Sequence, residues 1–239
     1  MNDKQGVGAM RHALVERAVS RAQRLSARRI KIHVVTIVAA GLAAFILIGA
    51  VRAQTLVALP PSSPKLAGTG KANPTPASVD FCRRMPGECK IDLAEPTVLA
   101  LTPEIWHTLV TVNREVNERI KPMTDLEHWG VIDRWDFPDN GIGDCEDYQL
   151  LKRRLLAEQG LPRRAMRMTV VLDENGYGHA VMMVRTNRGD FILDNQRANI
   201  LPWQDTGYVF VKREGQNSRA WVSLETDASP VATATSDEE

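Results

Sequence analysis

Cys145 is the residue of this sequence best suited to nucleophilic chemistry, and the other two of the three cysteines lie close together well before it. The first turn of a helix predicted to begin beside it favours a thiolate through unpaired N–H groups and the helix dipole. Asp144 and Glu146 oppose this effect, because their negative charges raise the pKa of a thiol. A thiolate here therefore needs a nearby cation, either a protonated His179 or a bound metal. Without such a partner, a helical cysteine is typically a small buried apolar residue.

His179 and Asp194 are candidates for the base and carboxylate that a catalytic thiol needs. His179 begins a predicted strand and Asp194 ends the next one, so both lie at the same end of a predicted hairpin. If residues 187–188 form a two-residue turn, His179 faces residue 196 and Asp194 is its diagonal neighbour on the same face. Gly189 could equally support a three-residue turn with a bulge, and a slip of one residue would separate the two side chains. Taken singly, a strand histidine and an aspartate in a turn are ordinary structural residues.

Two amphipathic helices precede the predicted strands. Thr102 caps the first, a proline occupies its first position, and apolar residues then recur at helical spacing. The second begins at residue 143 or 144, contains Cys145 in its first turn and stops at Gly160. The loop between these helices contains Trp129 and Trp135, which are expected either to line a substrate groove or to pack in the core.

The period then changes to that of short strands rich in valine, isoleucine, phenylalanine and methionine. The predicted strands are residues 165–172, 179–186, 190–194 and 207–212. Asn175 and Gly176 predict a hairpin between the first two. Helices followed by an antiparallel sheet predict an α+β domain.

Residues 1–53 have the pattern of a membrane or export segment. Residues 1–31 are strongly basic, and no residue is charged from Ile32 to Val51. A helix of about twenty residues spans the roughly 30 Å hydrocarbon core of a bilayer, with the basic flank in the cytoplasm. Residues 51–54 also resemble a signal cleavage site. Residues 32–53 are therefore either a retained transmembrane anchor or a signal peptide, and both alternatives predict a periplasmic or exported domain.

Composition sets the expected limits of that domain. Residues 54–80 are rich in proline and small polar residues and predict an extended spacer. The folded domain is expected at residues 81–222, and residues 223–239 are expected to form a disordered tail. The formal net charge is only +1, so no nucleic-acid partner is expected.

Cys82 and Cys89 lie close enough in the chain to close a short loop that contains a proline and a glycine. In an oxidising compartment the pair would form a disulfide and leave Cys145 as the odd thiol. The alternatives are two reduced cysteines or half of a zinc site.

Three blocks of the sequence resemble the bacterial transglutaminase-like cysteine proteinase family. They are Gly-Asp-Cys-Glu-Asp-Tyr at 143–148, Gly-His-Ala-Val at 178–181 and Leu-Asp-Asn at 193–195, followed by Pro-Trp at 202–203. The resemblance covers roughly residues 80–214. It implies a papain-like, transglutaminase-like core, with Cys145 as nucleophile, His179 as base and then acid, and Asp194 holding the imidazole tautomer.

The same resemblance implies partners and a metal. Relatives in the family cleave a cell-surface adhesin in the periplasm and bind calcium beside the catalytic cysteine, at positions that match Asp144 and Glu146. Acidic residues are also common in first helical turns for dipole reasons alone. An adhesin substrate and a regulatory inner-membrane partner are expected by analogy, and no organic cofactor is expected. The alternatives to peptide hydrolysis are acyl transfer to an amine and a non-catalytic interaction module.

Overall fold

The computed structural model describes residues 58–224. The helices in this part of the chain are α1 (Pro76–Arg84), α2 (Pro103–Arg119), α3 (Asp125–Trp129) and α4 (Cys145–Glu158). The strands are β1 (Gly70–Ala72), β2 (Lys121–Pro122), β3 (Ile142–Gly143), β4 (Met166–Leu172), β5 (Gly178–Thr186), β6 (Gly189–Leu193), β7 (Leu201–Pro202), β8 (Val209–Glu214) and β9 (Trp221–Ser223).

The main sheet has seven strands in the order β1-β9-β8-β4-β5-β6-β7, and every neighbouring pair in it is antiparallel. β2 and β3 form a separate parallel pair immediately before α4. Helices combined with an antiparallel sheet agree with the predicted α+β class and with a transglutaminase-like arrangement.

The two predicted amphipathic helices are α2 and α4. Thr102 caps α2 by accepting a hydrogen bond from the backbone N–H of Ile105 at 3.2 Å. α4 begins at Cys145, with Asp144 in the capping position, but the side chain of Asp144 makes no capping hydrogen bond. The carboxylate of Asp144 is therefore available for other partners.

Both helices pack on one face of the sheet, where Leu109 of α2 and Leu156 of α4 are wholly buried. Met182 and Val184 of β5 belong to the same apolar cluster, whereas Val181 belongs to a second cluster. β5 is thus buried on both faces, which explains its unbroken apolar run.

The β5–β6 hairpin has the two-residue turn that aligns His179 with Asp194. Thr186 pairs with Gly189, so residues 187–188 form a two-residue turn, and in this register His179 faces residue 196. Gly189 has a φ of +123°, and a Cβ atom there would lie 2.1 Å from the side chain of Ser63. Glycine is required here by both the backbone conformation and the close approach of a neighbouring segment.

The prediction of a spacer over 54–80 is wrong for its described part, residues 58–80. Leu66 is buried, and its backbone N–H donates to the Asp190 carboxylate at 2.8 Å. The backbone N–H of Ser63 donates to the carbonyl of Arg188 at 2.8 Å, and β1 pairs with β9. Prolines are compatible with an extended segment at the edge of a sheet, so composition alone could not exclude this packing.

The predicted limits of the tail and of the domain also change. Ser223 pairs with Lys212 in the sheet and Leu224 is wholly buried, so the domain does not end at residue 222. β9 is only three residues long, which is too short to give a periodic signal in the sequence. Residues 225–239 lie outside the described part of the chain.

Two helices were not predicted. α1 follows Thr75, whose side chain accepts from the Ser78 N–H, and α3 has a capping box formed by Thr124 and Glu127. The predicted anchor or signal peptide at 32–53, like the basic segment before it, lies outside the described residues. From residue 58 to residue 224, no helix is long and apolar enough to cross a membrane.

Candidate active site

His179 and Asp194 are joined by a hydrogen bond between Nε2 and Oδ1 at 2.9 Å, and both side chains are buried. An ionised carboxylate only accepts hydrogen bonds, so the shared proton lies on Nε2 and Nδ1 is left with its lone pair. Nδ1 lies 3.4 Å from Nε2 of Gln196. The arrangement fixes one imidazole tautomer, as a base requires.

Asp194 is kept ionised although it is buried. Burial raises the pKa of this carboxyl, but the hydrogen bond and charge of His179, together with the hydrogen bond from Tyr208, outweigh burial and lower the pKa below its usual value. The Tyr208 hydroxyl donates to Oδ2 at 2.6 Å, and the Gln196 backbone N–H donates to Oδ1 at 2.9 Å. Asn117 of α2 binds the backbone carbonyl of Asp194 at 2.8 Å.

Tyr208 is a site residue that the sequence analysis missed. Burial, followed by the hydrogen bond to Asp194, raises the pKa of Tyr208 to about 12, so that its hydroxyl stays protonated and donates. Arg197 holds the hydroxyl from the other side, with Nε at 3.1 Å. Only its place at the start of a predicted strand could have drawn attention to Tyr208. Its contact with Asp194 joins the residue before β8 to the residue after β6, and these two strands are not neighbours in the sheet.

Lys152 is a buried cation on α4, two helical turns after Cys145. Its side chain is wholly buried, and Nζ has no hydrogen-bond partner within residues 58–224. Burial lowers the pKa of Lys152 to about 7, and the negative charge of Asp194 partly opposes this shift. The Lys152 side chain therefore changes between its charged and neutral forms near neutral pH.

Cys145 is half-buried at the first position of α4. Its thiol donates to the Glu146 carboxylate at 3.1 Å, and no hydrogen bond joins it to His179 in the described structure. α4 packs against β5, and the backbone N–H of Ala180, the residue after His179, lowers the pKa of the Cys145 thiol. Burial and the adjacent Glu146 raise the pKa of the thiol, and the Ala180 N–H only partly opposes this. With these carboxylates uncompensated, Cys145 is a thiol rather than a thiolate.

Acidic side chains from three segments, α3, the loop after it and the start of α4, meet beside this thiol. Carboxylate oxygens of Asp125, Asp133 and Glu146 lie within 4.8 Å of one another, and so do those of Asp125, Asp144 and Asp147. The predicted pair, Asp144 and Glu146, therefore lies within a larger cluster. Asp125 and Asp133 were missed as ligands because α3 and the loop after it bring them to the start of α4, whereas Asp147 lies next to Glu146 in the sequence and could have been included.

The cluster has the properties expected of a cation site. Burial and the repulsion of Asp125 raise the pKa of Asp144 to about 6, and burial raises that of Asp147 to about 8. Burial and the charge of Asp144 also raise the pKa of Glu146 well above its usual value. The Oδ1 atom of Asp144 is buried without a hydrogen-bond partner. An all-carboxylate set with an unsatisfied oxygen fits a hard divalent cation such as calcium.

The other sequence-predicted residues lie away from this site or line its surroundings. Cys82 and Cys89 are bonded to each other, with a Cα–Cα distance of 5.5 Å, and together with Trp135 belong to an apolar cluster that also contains Phe81. Trp135 is buried in the core, whereas Trp129 is 44% exposed and lies under the Arg134 guanidinium. Of the two tryptophans, only Trp129 has a large exposed fraction.

Comparison with known proteins gives the family. The model of the bacterial transglutaminase-like cysteine proteinase family matches residues 69–229. LapG of Legionella pneumophila is 25% identical, over 51% of this chain and 70% of LapG, with a TM-score of 0.44. Its calcium-bound structure is 22% identical over 54% and 75%, with a TM-score of 0.45, and an EGTA-treated structure is 26% identical over 52% and 69%, with a TM-score of 0.42. No curated protein matches the chain. Because the family match spans more than half of the sequence, the chain belongs to the bacterial transglutaminase-like cysteine proteinases and is a cysteine peptidase.

Proposed function

We propose that the chain is an exported thiol endopeptidase with Cys145 as nucleophile, His179 as base and then acid, and Asp194 as the orienting carboxylate. The observation that carries the proposal is the 2.9 Å hydrogen bond between His179 and Asp194, together with the packing of α4, which begins at Cys145, against the strand that holds His179. Acyl transfer to a thiol requires an imidazole and a carboxylate beside that thiol, and we propose that Cys145 meets this pair.

The proposed reaction begins when the thiol turns from Glu146 to His179. Nδ1 of His179 accepts the thiol proton, and the sulfur attacks the peptide carbonyl carbon. The unpaired N–H groups in the first turn of α4 are placed to hold the resulting oxyanion. His179 then protonates the leaving amine, and water attacks the thioester that remains on Cys145, with His179 again as base.

We propose calcium as the cation of the acidic cluster, with Asp144 and Glu146 as ligands and Asp125, Asp133 and Asp147 as further ligands. A bound divalent cation would supply positive charge next to the thiol. Asp144 and Glu146 both raise the pKa of Cys145 through their negative charge. Compensating those two charges favours the thiolate, and engaging the Glu146 carboxylate removes the acceptor that competes with His179 for the thiol hydrogen.

The proposed substrate is a secreted or cell-surface protein, of which an adhesin is the first example to test. The basic segment and the apolar run at 32–51 support export, and family membership supports a protein substrate. A regulatory partner in the inner membrane and the choice between anchor and cleaved signal stay predictions. The mass of the mature protein distinguishes a retained anchor from a chain cleaved near residue 53.

The direct test compares the proteins shed by cells that express the wild type, Cys145→Ala or the surface variant Arg114→Ala. We expect one or more surface proteins to be released by the wild type and by Arg114→Ala, but not by Cys145→Ala. Identical sets of shed proteins from all three strains, at equal expression, contradict the endopeptidase proposal.

A thiol-reactive probe tests the triad independently of the substrate. With calcium present, labelling at Cys145 should be fast in the wild type, absent in Cys145→Ser and strongly slowed in His179→Ala, because the imidazole promotes the thiolate. Equal labelling rates in the wild type and His179→Ala contradict the triad. Incorporation of a labelled primary amine into the released product, instead of hydrolysis, would favour acyl transfer.

A further inference from the structure

A cavity of about 430 Å³ lies apart from the candidate active site, between α1, the loop closed by Cys82 and Cys89, and the turn that joins β8 to β9. None of the proposed triad residues lines it. Its contact with α4 is Arg153, eight residues after Cys145, which places it about 12 Å along the helix axis.

One side of the cavity is apolar and aromatic. Phe81, Trp135 and Trp221 line it together with the disulfide. The rings of Trp135 and Trp221 lie 6.2 Å apart at 59°, and both tryptophans are more than nine-tenths buried. This wall is held in place by the core and by a covalent bond, so it does not depend on a ligand for its shape. Apolar walls with a few polar groups are typical of small-molecule sites.

Basic side chains also line the cavity. Six basic side chains line the cavity against two acidic ones, Glu88 and Glu214. The basic residues are Arg83, Lys90, Arg153, Arg163, Arg167 and Arg219. Both carboxylates are already paired, Glu88 with Arg163 at 2.6 Å and Glu214 with Arg153 at 2.6 Å. Positive charge therefore exceeds negative charge in the wall.

Two of these cations are buried. Arg153 donates through one nitrogen, Nη1, to Glu214, and its other guanidinium nitrogens have no hydrogen-bond partner within residues 58–224. Arg167 donates only to backbone carbonyls, those of Met166, Gly215 and Arg163. The Arg167 guanidinium also lies 3.6 Å from the Glu214 carboxylate that Arg153 binds, so two buried guanidinium groups share one carboxylate, and both residues line the cavity. Buried positive charge of this kind is stabilised by an anion.

We propose that this cavity binds a small organic anion, with its carboxylate or sulfonate among the guanidinium groups and its aromatic or aliphatic body against the tryptophans. The volume lies within the range of roughly 300–1,000 Å³ common for small-molecule sites. The exposed rim residues Lys90 and Arg219 make no ion pair in the described structure, and they extend the positive field toward solvent. The triad residues do not line this site, so its test does not depend on the outcome of the peptidase proposal.

The test uses a matched pair of probes, 2-naphthoate and neutral 2-naphthamide, titrated calorimetrically into the full-length protein with identical solution in cell and syringe. The two probes share the aromatic body and differ in charge. We expect naphthoate to bind at least about tenfold more tightly than naphthamide, and to lose most of this preference when salt rises from about 0.01 M to 1 M.

Two charge reversals locate the site. Arg219→Glu and Lys90→Glu change exposed rim residues, so they should leave folding intact, and each should weaken naphthoate about threefold to tenfold with little effect on naphthamide. Arg114→Glu is the matched control, because Arg114 is equally exposed but lies on α2, outside the cavity. Cys145→Ala should bind naphthoate like the wild type.

The proposal is overturned if naphthoate does not bind, if both probes bind equally, or if Arg114→Glu weakens naphthoate as much as the rim variants do. Loss of binding in Cys145→Ala would place the anion at the active site and equally overturn it. A naphthoate affinity that the rim reversals leave unchanged also contradicts the assignment.

Discussion

Asp194, the triad candidate, and the acidic cluster at the start of α4 are both buried, but their carboxyl pKa values shift in opposite directions. Asp194 receives hydrogen bonds from His179, Tyr208 and a backbone N–H, and its pKa is lowered. Asp144 and Asp147 face other carboxylates, and their pKa values are raised to about 6 and about 8. Burial alone therefore does not determine the ionisation of an acid; its hydrogen-bond donors and neighbouring charges do.

The two sites differ in whether the protein itself supplies the partners that their carboxylates need. Asp194 has the partners it needs as an anion. The cluster instead has an unsatisfied oxygen on Asp144 and a thiol that donates to Glu146. These properties of the cluster are the ones that the proposed calcium ion would satisfy.

The largest effect is expected from Asp194→Asn, which keeps the shape of the side chain and removes its charge. The amide can donate to the imidazole instead of accepting from it, so the wrong tautomer of His179 is favoured. We expect kcat/KM for a protein substrate to fall about 10³-fold to 10⁴-fold with the fold retained. A fall of less than about tenfold would place Asp194 outside the catalytic machinery.

Calcium should have the next largest effect, on thermal stability. The chelated protein has carboxyl pKa values above those of the unfolded chain, so the unfolded state loses protons first as pH rises. Stability of the chelated protein should therefore fall between about pH 4 and pH 8. Saturating calcium should raise Tm by about 5–10 °C at pH 8, and less at pH 5, where protons compete. A calcium effect that is equal at both values, or absent, contradicts the site.

Asp147→Asn makes the same isosteric change in the cluster and should raise the stability of the chelated protein. Asp147 is almost wholly buried, and its Oδ1 accepts from the Asp136 N–H at 2.8 Å, a bond that an amide oxygen can keep. We expect the chelated variant to be more stable than chelated wild type by about 2 kcal/mol at pH 8, and by less at pH 5. Chemical denaturation at the two pH values measures this, and the calcium response should shrink. Destabilisation at pH 8 would mean that Asp147 is paired, as Asp194 is.

The smallest effect is expected from Tyr208→Phe, which removes one donor from Asp194 and sharpens the comparison. Loss of the 2.6 Å hydrogen bond should raise the pKa of Asp194, since that bond favours the anion. Activity should fall about threefold to tenfold, and the acidic limb of the kcat/KM profile should move to higher pH. An unchanged pH profile with reduced stability would assign Tyr208 a purely structural role.

Local sequence signals accounted for α2 and α4 because these helices have both a cap and an apolar period. α1 and α3 have comparable caps, at Thr75 and Thr124, yet were missed because they lie within segments whose composition predicted a spacer and a loop. The capping box at Thr124 was present in the sequence and could have been used. The packing of Leu66 against the β5–β6 hairpin had no local signal, since it depends on a strand far along the chain.

The sequence by itself determined the chemistry available to this protein: one cysteine at a helix start, a histidine and an aspartate at strand ends, and the three blocks that identify the family. These are local properties, because a helix start or a hairpin depends on neighbouring residues. Only the tertiary structure decided the hairpin register, the contact of Tyr208 with Asp194, the convergence of Asp125 and Asp133 on α4, and the cationic cavity. Each of these joins residues far apart in the chain, and such contacts are fixed by packing of the whole domain rather than by any pattern of adjacent residues.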